Sequence, residues 1–392
     1  MTVEIPPLPD DPLAEELERF VAAHRLFERY RALDRTPAFP REEYRAMGQS
    51  GWLGLDRPVA DGGRGLSAVR AGTLLYRLAY RSGTTFAKLS LQPGFSSVLE
   101  EHGSPELVRE FYRPLVRGEK LVANYLTEPD AGSDLGRIRT LAVRDGADYV
   151  LTGTKSEAAF VQDAEAAIVY ARVPSDPSKG LTAFLVPQTM DGIRSEIVPD
   201  LGEHWMRRGQ VVYDAVRLPE RNRIGEEGAA LRYVLPELSR ERGFLAMIYL
   251  GVARASWEET VRRADERTVF GESLSEQQAV AFPLVRDWGE MESVRLYVER
   301  ALERISRGLR ADLDTALAKA MATEIALRVL DHAIQFHGGA GYSNALPHEQ
   351  RWRDVRSGSI AHGSSETLYR AAARRIWRGR PARDPGSPPR VP

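Results

Sequence analysis

The sequence predicts an α+β fold that is mostly helical, with a small β domain between two helical domains. Residues 11–120 and 229–378 carry apolar side chains at helical spacing, whereas residues 121–228 contain short alternating or β-branched runs separated by turns. We therefore expect three domains, at 1–120, 121–228 and 229–378. Residues 379–392 are rich in proline, glycine and arginine, and this composition predicts a disordered tail.

Each helical region shows an apolar stripe on one predicted helix face. In the first region the stripe consists of Leu13, Leu17, Phe20 and Val21. In the second region it consists of Leu317, Met321, Ile325, Val329 and Ala333. Gly338-Gly339 follows the second stripe directly, and glycine at that position is typical of a helix end. Such stripes indicate helices packed on a common core.

The middle region predicts strands rather than helices. The predicted strands are Tyr149–Thr152, Ala167–Tyr170, Ala183–Val186 and Val211–Tyr213. Asp145-Gly146 and Asp191-Gly192 have the residue types of tight turns, so we expect the chain to reverse at both places. The helix, sheet and helix order then places the sheet between two helical bodies.

Composition excludes several classes of protein. The chain has 392 residues, a net charge of −1 and no cysteine, which argues against nucleic acid as a partner and excludes a thiol nucleophile. The seven histidines are scattered, so no metal site is expected. No run approaches the roughly 18 apolar residues of a membrane span, and the first residues lack a secretory pattern. We expect a cytoplasmic protein with no membrane partner.

The stretch from Ala123 to Asp134 predicts a ligand platform. It runs from an apolar segment into a turn in which Pro129 fixes φ and Gly132 allows unusual backbone conformations. Exposed N–H groups and the hydroxyls of Thr127 and Ser133 can then point at one bound molecule. An ordinary corner between a strand and a loop would have the same residue types.

Four segments in order resemble the acyl-CoA dehydrogenase family, and together they span nearly the whole chain. They are T-E-P-D-A-G-S-D at 127–134, R-T-V-F-G at 267–271, Q-F-H-G-G-A-G-Y at 335–342, and Arg353-Asp354. The resemblance implies a C-terminal domain like a four-helix bundle, FAD as the hydride acceptor, and an acyl-CoA or acyl-carrier-protein substrate. It also implies a flavin electron acceptor as partner and assembly as a homodimer or homotetramer.

The resemblance assigns cofactor residues one by one. From this subunit it implies Leu126, Thr127, Gly132, Ser133, Gln335, Gly338, Gly339, Ser364 and Glu366, with Ser133 also near the substrate. From the neighbouring subunit it implies Arg267, Phe270 and Gln278. Arg267 suits a diphosphate because its planar guanidinium gives directional charged hydrogen bonds, although an arginine on a helix is often only a solvated surface charge.

Three positions depart from the family pattern. Where the family places an aromatic residue and a hydroxyl residue near the flavin ring, this chain has Glu157 and Ala159, and a second hydroxyl position is Val269. Each lost hydrogen bond is worth on the order of 1 kcal/mol. Added together, such losses would weaken binding by roughly two orders of magnitude, so we expect FAD to be weakly bound or lost.

Two residues are candidates for the base that takes the α proton. His362 stands where the family's C-terminal glutamate is expected, and an imidazole with a reference pKa of about 6.5 can accept a proton near neutral pH. Glu241 stands in a Glu-Arg pair used by the isovaleryl and long-chain branches, with Arg242 expected at the acyl carrier. A structural histidine and a helix-capping glutamate are the alternatives.

The predicted function is α,β-dehydrogenation of an acyl thioester, with Glu241 as first candidate for the base and His362 as second. The backbone N–H of His362 would polarise the thioester carbonyl. Two other functions fit the departures. The fold could perform flavin-independent isomerisation, cyclisation or hydrolysis of an acyl thioester. Alternatively, the chain could be a non-catalytic subunit of a hetero-oligomer that contributes to a partner's flavin site.

Overall fold

The computed structural model describes residues 5–174 and 180–377 and has an N-terminal helical domain, a middle β domain and a C-terminal helical domain. The predicted tail at 379–392 lies outside the described residues. The N-terminal helices are α1 (Ala14–Ala23), α2 (Leu26–Arg35), α3 (Arg41–Gln49), α4 (Ala68–Ser82), α5 (Thr84–Ser90), α6 (Gln92–Phe95), α7 (Ser97–His102), α8 (Pro105–Leu107) and α9 (Arg113–Val116). Leu17, Phe20 and Val21 of the predicted stripe are buried in the core.

The middle domain is a mixed sheet. Its strands are β1 (Val122–Tyr125), β2 (Leu141–Asp145), β3 (Asp148–Ala158), β4 (Ala166–Arg172), β5 (Leu181–Pro187), β6 (Ile193–Ile197), β7 (Gly209–Leu218) and β8 (Arg223–Ile224). The strand order is β6-β7-β3-β2-β4-β5-β8, and β1 pairs in parallel with β4. The four predicted strands lie within β3, β4, β5 and β7. The chain passes from the end of β1 directly into the predicted platform. The pairing of β1 with β4 therefore anchors the start of the platform in the sheet.

The C-terminal domain is built from three long helices and several short ones. They are α10 (Ala230–Glu266), α11 (Gln278–Ser306), α12 (Asp312–Phe336), α13 (Gly339–Tyr342), α14 (His348–Arg356) and α15 (Ser365–Ile376). A two-stranded hairpin, β9 (Thr268–Val269) and β10 (Glu272–Ser273), connects α10 to α11. Helix α12 ends at Phe336, two residues before Gly338, at which φ is +59°, so the predicted glycine stop is confirmed.

One buried carboxylate ties the three domains together. Asp354 on α14 accepts hydrogen bonds from the Tyr30 hydroxyl at 2.8 Å and the Thr84 hydroxyl at 3.1 Å, both in the N-terminal domain. It also accepts from the Glu203 N–H at 2.7 Å, in the middle domain. Buried hydrogen bonds to a charged group are worth about 1.5–3 kcal/mol each. The Arg353-Asp354 motif therefore fixes the relative positions of the domains that surround the candidate site.

Within residues 5–174 and 180–377, no helix is both long enough and apolar enough to cross a membrane.

Candidate active site

The platform after β1 is held by a buried ion pair. Glu128 accepts hydrogen bonds from Lys155 Nζ at 2.8 Å, from the Arg139 N–H at 2.6 Å and from the Thr140 N–H at 3.0 Å. Lys155 is fully buried on β3, and its ammonium also donates to the Leu126 carbonyl at 3.3 Å. The glutamate of the T-E-P motif therefore closes the loop, and its carboxylate is not available to a ligand.

The same loop contacts the C-terminal domain. The Ser156 N–H donates to the Thr127 carbonyl at 3.0 Å, which fixes the start of the platform. At its far end, Thr367 Oγ1 on α15 donates to Ser133 Oγ at 3.0 Å. Gly132 has no atom within 4 Å of where a Cβ would lie, so its backbone is open to approach. The platform thus faces the N-terminal end of α15.

Ser364 and Glu366 lie at that helix end. Ser364 caps α15, because its hydroxyl accepts a hydrogen bond from the Thr367 N–H at 3.2 Å. Glu366 is in the first turn and its side chain is exposed. The structure therefore brings Ser364 and Ser133 together through Thr367.

Glu241 lies on α10 with its carboxyl group buried under α6. Only 1% of the residue is exposed, and Oε2 has no hydrogen-bond partner. Gly94 on α6 packs directly against the carboxyl group, since a Cβ at that position would overlap Oε1 and lie 3.0 Å from Cδ. A cavity of about 10 Å³ adjoins the carboxyl group and is bordered by Phe244 and Asp56. One water molecule would fill this volume.

The surroundings make Glu241 hard to ionise. Burial raises the pKa of Glu241 well above its usual value, and the negative charge of Asp56 adds to the increase while Arg57 opposes it. Asp56 itself is paired with Arg57 at 3.2 Å and with Arg240. A carboxylate that has lost its proton in such a place is a stronger base than an exposed glutamate.

His362 contacts the same α6 segment. Its ring stacks on Phe95, with 4.9 Å between the ring centroids and 24° between the planes. Its backbone is left-handed, with φ at +55°. Burial lowers the pKa of His362 to about 3, and the positive charges of Lys319, Lys88 and Arg242 add to the decrease. The imidazole therefore stays neutral near pH 7 and is a weak base.

The two candidate bases therefore both contact one segment, Gly94-Phe95. Asn124 on β1 holds this segment in place, because its side-chain N–H donates to the Phe95 carbonyl at 2.7 Å. Arg242 lies next to Glu241 on α10, and its Nε donates to the His362 carbonyl at 2.9 Å. The contact expected between Arg242 and the acyl carrier stays a prediction.

The three positions that depart from the family pattern lie at or directly after the end of β3 and in the β9 strand, and one of them forms an ion pair. Glu157 at the end of β3 has a left-handed backbone, with φ at +54°, and forms an ion pair with Arg208. Ala159 is partly buried and offers no hydrogen-bonding group. Val269 lies in the β9 strand of the hairpin. An ion pair therefore occupies the place of the expected aromatic residue.

The residues expected from a neighbouring subunit lie on the hairpin between α10 and α11 or next to it in the chain. Phe270 is 99% exposed at the tip of the hairpin, Arg267 directly precedes it and Gln278 begins α11, and both of these side chains are exposed. Gln335 is exposed near the end of α12, followed by Gly338 and Gly339, neither of which has an atom within 4 Å of an added Cβ.

The exposed set fits the diphosphate and adenine half of FAD. In the described part of the chain, the side chains of Arg267, Gln278 and Gln335 form neither hydrogen bonds nor ion pairs. An unpaired guanidinium and two free amides offer the charged and polar donors that a dinucleotide needs. The residues expected beside the flavin ring of FAD fit that ring less well, because the Glu157–Arg208 ion pair stands where an aromatic residue is expected. No cluster of metal-ligating side chains occurs among the described residues.

Comparison with known proteins agrees with this geometry. Residues 11–119, 123–216 and 229–377 match, in order, the N-terminal, middle and C-terminal domains of acyl-CoA dehydrogenases. The fold and these matches thus define an acyl-CoA dehydrogenase-like flavoenzyme, a class in which FAD is the implied cofactor.

Individual relatives cover most of the chain. A short-chain specific acyl-CoA dehydrogenase of Clostridium acetobutylicum is 31% identical over 349 residues, which are 88% of this chain and 92% of the relative. A 3-(aryl)acrylate reductase of Clostridium sporogenes is 30% identical over 341 residues, 85% and 89% of the two chains. Butyryl-CoA dehydrogenase of Megasphaera elsdenii has a solved structure with a TM-score of 0.87 and 25% identity, covering 95% of this chain and 100% of that one. This chain belongs to the acyl-CoA dehydrogenase family.

Several residues of the site were not predicted from the sequence. They are Asp56, Gly94, Phe95, Lys319 and Thr367. One signal was available for Lys319, because it is the single charged residue in the otherwise apolar run 316–322. For the others the sequence around each residue has no distinguishing pattern.

Proposed function

We propose that the protein removes hydrogen from the α and β carbons of an acyl thioester, with Glu241 as the base. The observation that carries this proposal is the buried Glu241 carboxyl group, whose Oε2 has no partner and which borders a small cavity next to Gly94. Burying a carboxyl oxygen without a hydrogen-bond partner is destabilising, so its presence calls for an explanation such as a catalytic role, and a raised pKa is typical of a general base.

The acyl group would enter between α6 and α10. Because the cavity beside Glu241 is only about 10 Å³, the segment Gly94-Phe95 has to move aside for a substrate. The His362 N–H would then donate to the thioester oxygen, which makes the α proton more acidic. When α6 closes again, Phe244 and Phe95 exclude water and keep the carboxylate basic.

Proton transfer goes from the substrate α carbon to Glu241. FAD, when bound, supplies the acceptor for the β hydride. His362 serves through its backbone N–H, because its imidazole has a pKa of about 3 and would hold an accepted proton poorly. A flavin electron acceptor would then be the redox partner.

A purified sample separates this function from its two rivals. Bound yellow flavin that is bleached by an acyl thioester supports dehydrogenation. Turnover of a thioester without flavin would support isomerisation, cyclisation or hydrolysis instead. A sample inert until a related subunit is added would support a non-catalytic role in a hetero-oligomer.

Flavin retention should improve when the missing contacts are restored. We expect Glu157→Trp, Ala159→Thr and Val269→Thr together to tighten FAD binding by up to about two orders of magnitude, since each contact is worth on the order of 1 kcal/mol or more. Arg208 would keep Asp200 as a partner at 3.4 Å. Titration of apoprotein with FAD, followed by flavin fluorescence, measures the affinity.

Val143→Thr is the control for an added hydroxyl, because Val143 is exposed on β2 away from the predicted site. It should leave FAD affinity unchanged. If the wild type already keeps stoichiometric flavin through gel filtration and the triple variant binds no tighter, the weak-binding proposal is wrong.

Sedimentation should show a dimer or tetramer at micromolar concentration. The proposal rests on the exposed hairpin, where Phe270 is 99% exposed, and interfaces of obligate oligomers typically bury about 2,000 Å² or more. Phe270→Ser should weaken assembly and FAD retention together. Val59→Ser, which changes another exposed apolar residue, should do neither. A monomeric wild type would contradict the proposal.

A further inference from the structure

Three consecutive carbonyl groups, at positions 361–363, accept hydrogen bonds from two basic side chains. Lys319 Nζ donates to the Ala361 carbonyl at 2.8 Å and to the Gly363 carbonyl at 2.7 Å. Arg242 Nε donates to the intervening His362 carbonyl at 2.9 Å. The carbonyl oxygens of residues 361–363 are therefore turned toward α10 and α12.

The N–H groups of this loop consequently point the other way. In a planar trans peptide the N–H lies opposite the carbonyl of the preceding residue, so fixing these three carbonyls fixes the N–H groups of His362, Gly363 and Ser364. In the part of the chain that the structure describes, none of these N–H groups donates to a protein acceptor. The left-handed φ values at His362, +55°, and Gly363, +94°, are consistent with a concave row of donors.

Lys319 is an unusual residue for its position. It is fully buried in the middle of α12 and forms no ion pair among the described residues. Burial lowers the pKa of Lys319 to about 7, and Arg242 and Lys88 add to the decrease. Burying a charged or polar amine is destabilising unless hydrogen bonds compensate, and here the hydrogen-bond partners that it has are the two loop carbonyls.

We propose that Lys319 is a positioning residue of the reaction: by holding the Ala361 and Gly363 carbonyls, it aims the His362 N–H at the thioester carbonyl oxygen. This inference rests on the proposed function. Arg242 completes the arrangement through the His362 carbonyl. Lys319 would affect the rate only by orienting the His362 N–H. A donor aimed at a developing oxyanion contributes about 10²–10³ in kcat.

The test compares the carbonyl stretching frequency of a bound thioester in several holoenzymes. The probe is an enoyl-CoA with an isotope-labelled carbonyl, chosen from butenoyl-CoA to octenoyl-CoA as the one that the wild type binds most tightly. Isotope-difference infrared spectra report how strongly the protein polarises that carbonyl. Lys319→Met removes both hydrogen bonds with little change in side-chain volume, and Lys319→Gln retains one donor group.

We expect the wild type to lower the stretching frequency relative to free thioester. Lys319→Met should lose most of this shift and about 10²-fold in kcat, with KM changed only a few-fold. Lys319→Gln should keep part of the frequency shift and part of kcat. If Lys319→Met fails to fold, this variant is compared with the wild type instead. The control is Lys120→Met, because Lys120 donates to the Glu110 carbonyl at 3.0 Å far from the loop. It should behave as the wild type.

Two results would overturn the inference, and only one of them would also overturn the proposed function. A full wild-type shift and kcat in Lys319→Met would remove the role of Lys319 and leave the proposed function standing. A wild type that binds the probe without any shift would overturn the proposed function and the role of Lys319 with it.

Discussion

Replacing Glu241 with glutamine should abolish exchange of the substrate α hydrogen with deuterated solvent, lowering its rate by about 10²–10⁴. Glutamine keeps the size of the side chain that Gly94 contacts but cannot accept the proton. Because the pKa of Glu241 is raised, wild-type exchange should increase with pH until the carboxyl group is fully ionised, at a pH above that of an exposed glutamate. Mass spectrometry of recovered thioester measures the exchange.

His362→Gln is the matched comparison. Its backbone N–H is unchanged, and an imidazole with a pKa of about 3 contributes little as a base, so most exchange should remain. Loss in His362→Gln with retention in Glu241→Gln would make His362 the base. Exchange that survives both changes would remove proton abstraction by either residue from the account.

Replacing Gly94 with alanine should reduce activity by about 10²-fold while the fold is retained. The added Cβ would overlap Oε1 of Glu241 and lie 3.0 Å from its Cδ, and the flexible end of the glutamate yields more easily than the backbone. Displacing a reacting group by about 1 Å can cost 10²-fold in rate. Steady-state kinetics give the rate, and thermal unfolding reports on the fold.

Gly289→Ala is the control for the same substitution. Gly289 lies in α11 with no atom within 4 Å of an added Cβ, so activity should not change. Stability should rise by about 0.5–1 kcal/mol, since alanine is the better helix former. Full activity in Gly94→Ala would show that the carboxyl group does not need its observed position.

The fold was predictable where the pattern is local. The apolar stripe through Ile325 and Val329 and the glycine after α12 follow from the geometry of one helix, and both predictions were correct. The exposed edge strand β6 reads I-R-S-E-I and was not predicted, because an edge strand with one weakly apolar face resembles a loop in sequence. The two-residue strand β8 is too short to show a period.

The candidate site was predictable only in part, for a physical reason. The family motifs identify Glu241 and His362, but Gly94 meets Glu241 through packing between helices about 150 positions apart in the sequence. Lys319 likewise reaches the carbonyls of Ala361 and Gly363 across the fold. Spacing within a segment says nothing about which distant segment will lie against it, so these contacts required the structure.

The absorption spectrum of flavin-loaded protein during anaerobic mixing with acyl thioesters tests the central claim most directly. If Glu241 removes the α proton as hydride leaves the β carbon, the wild type should lose the absorbance of oxidised flavin, and Glu241→Gln should keep it for at least about 10²-fold longer. Oxidised flavin that no acyl thioester bleaches in the wild type, or equal bleaching in Glu241→Gln, would contradict the account.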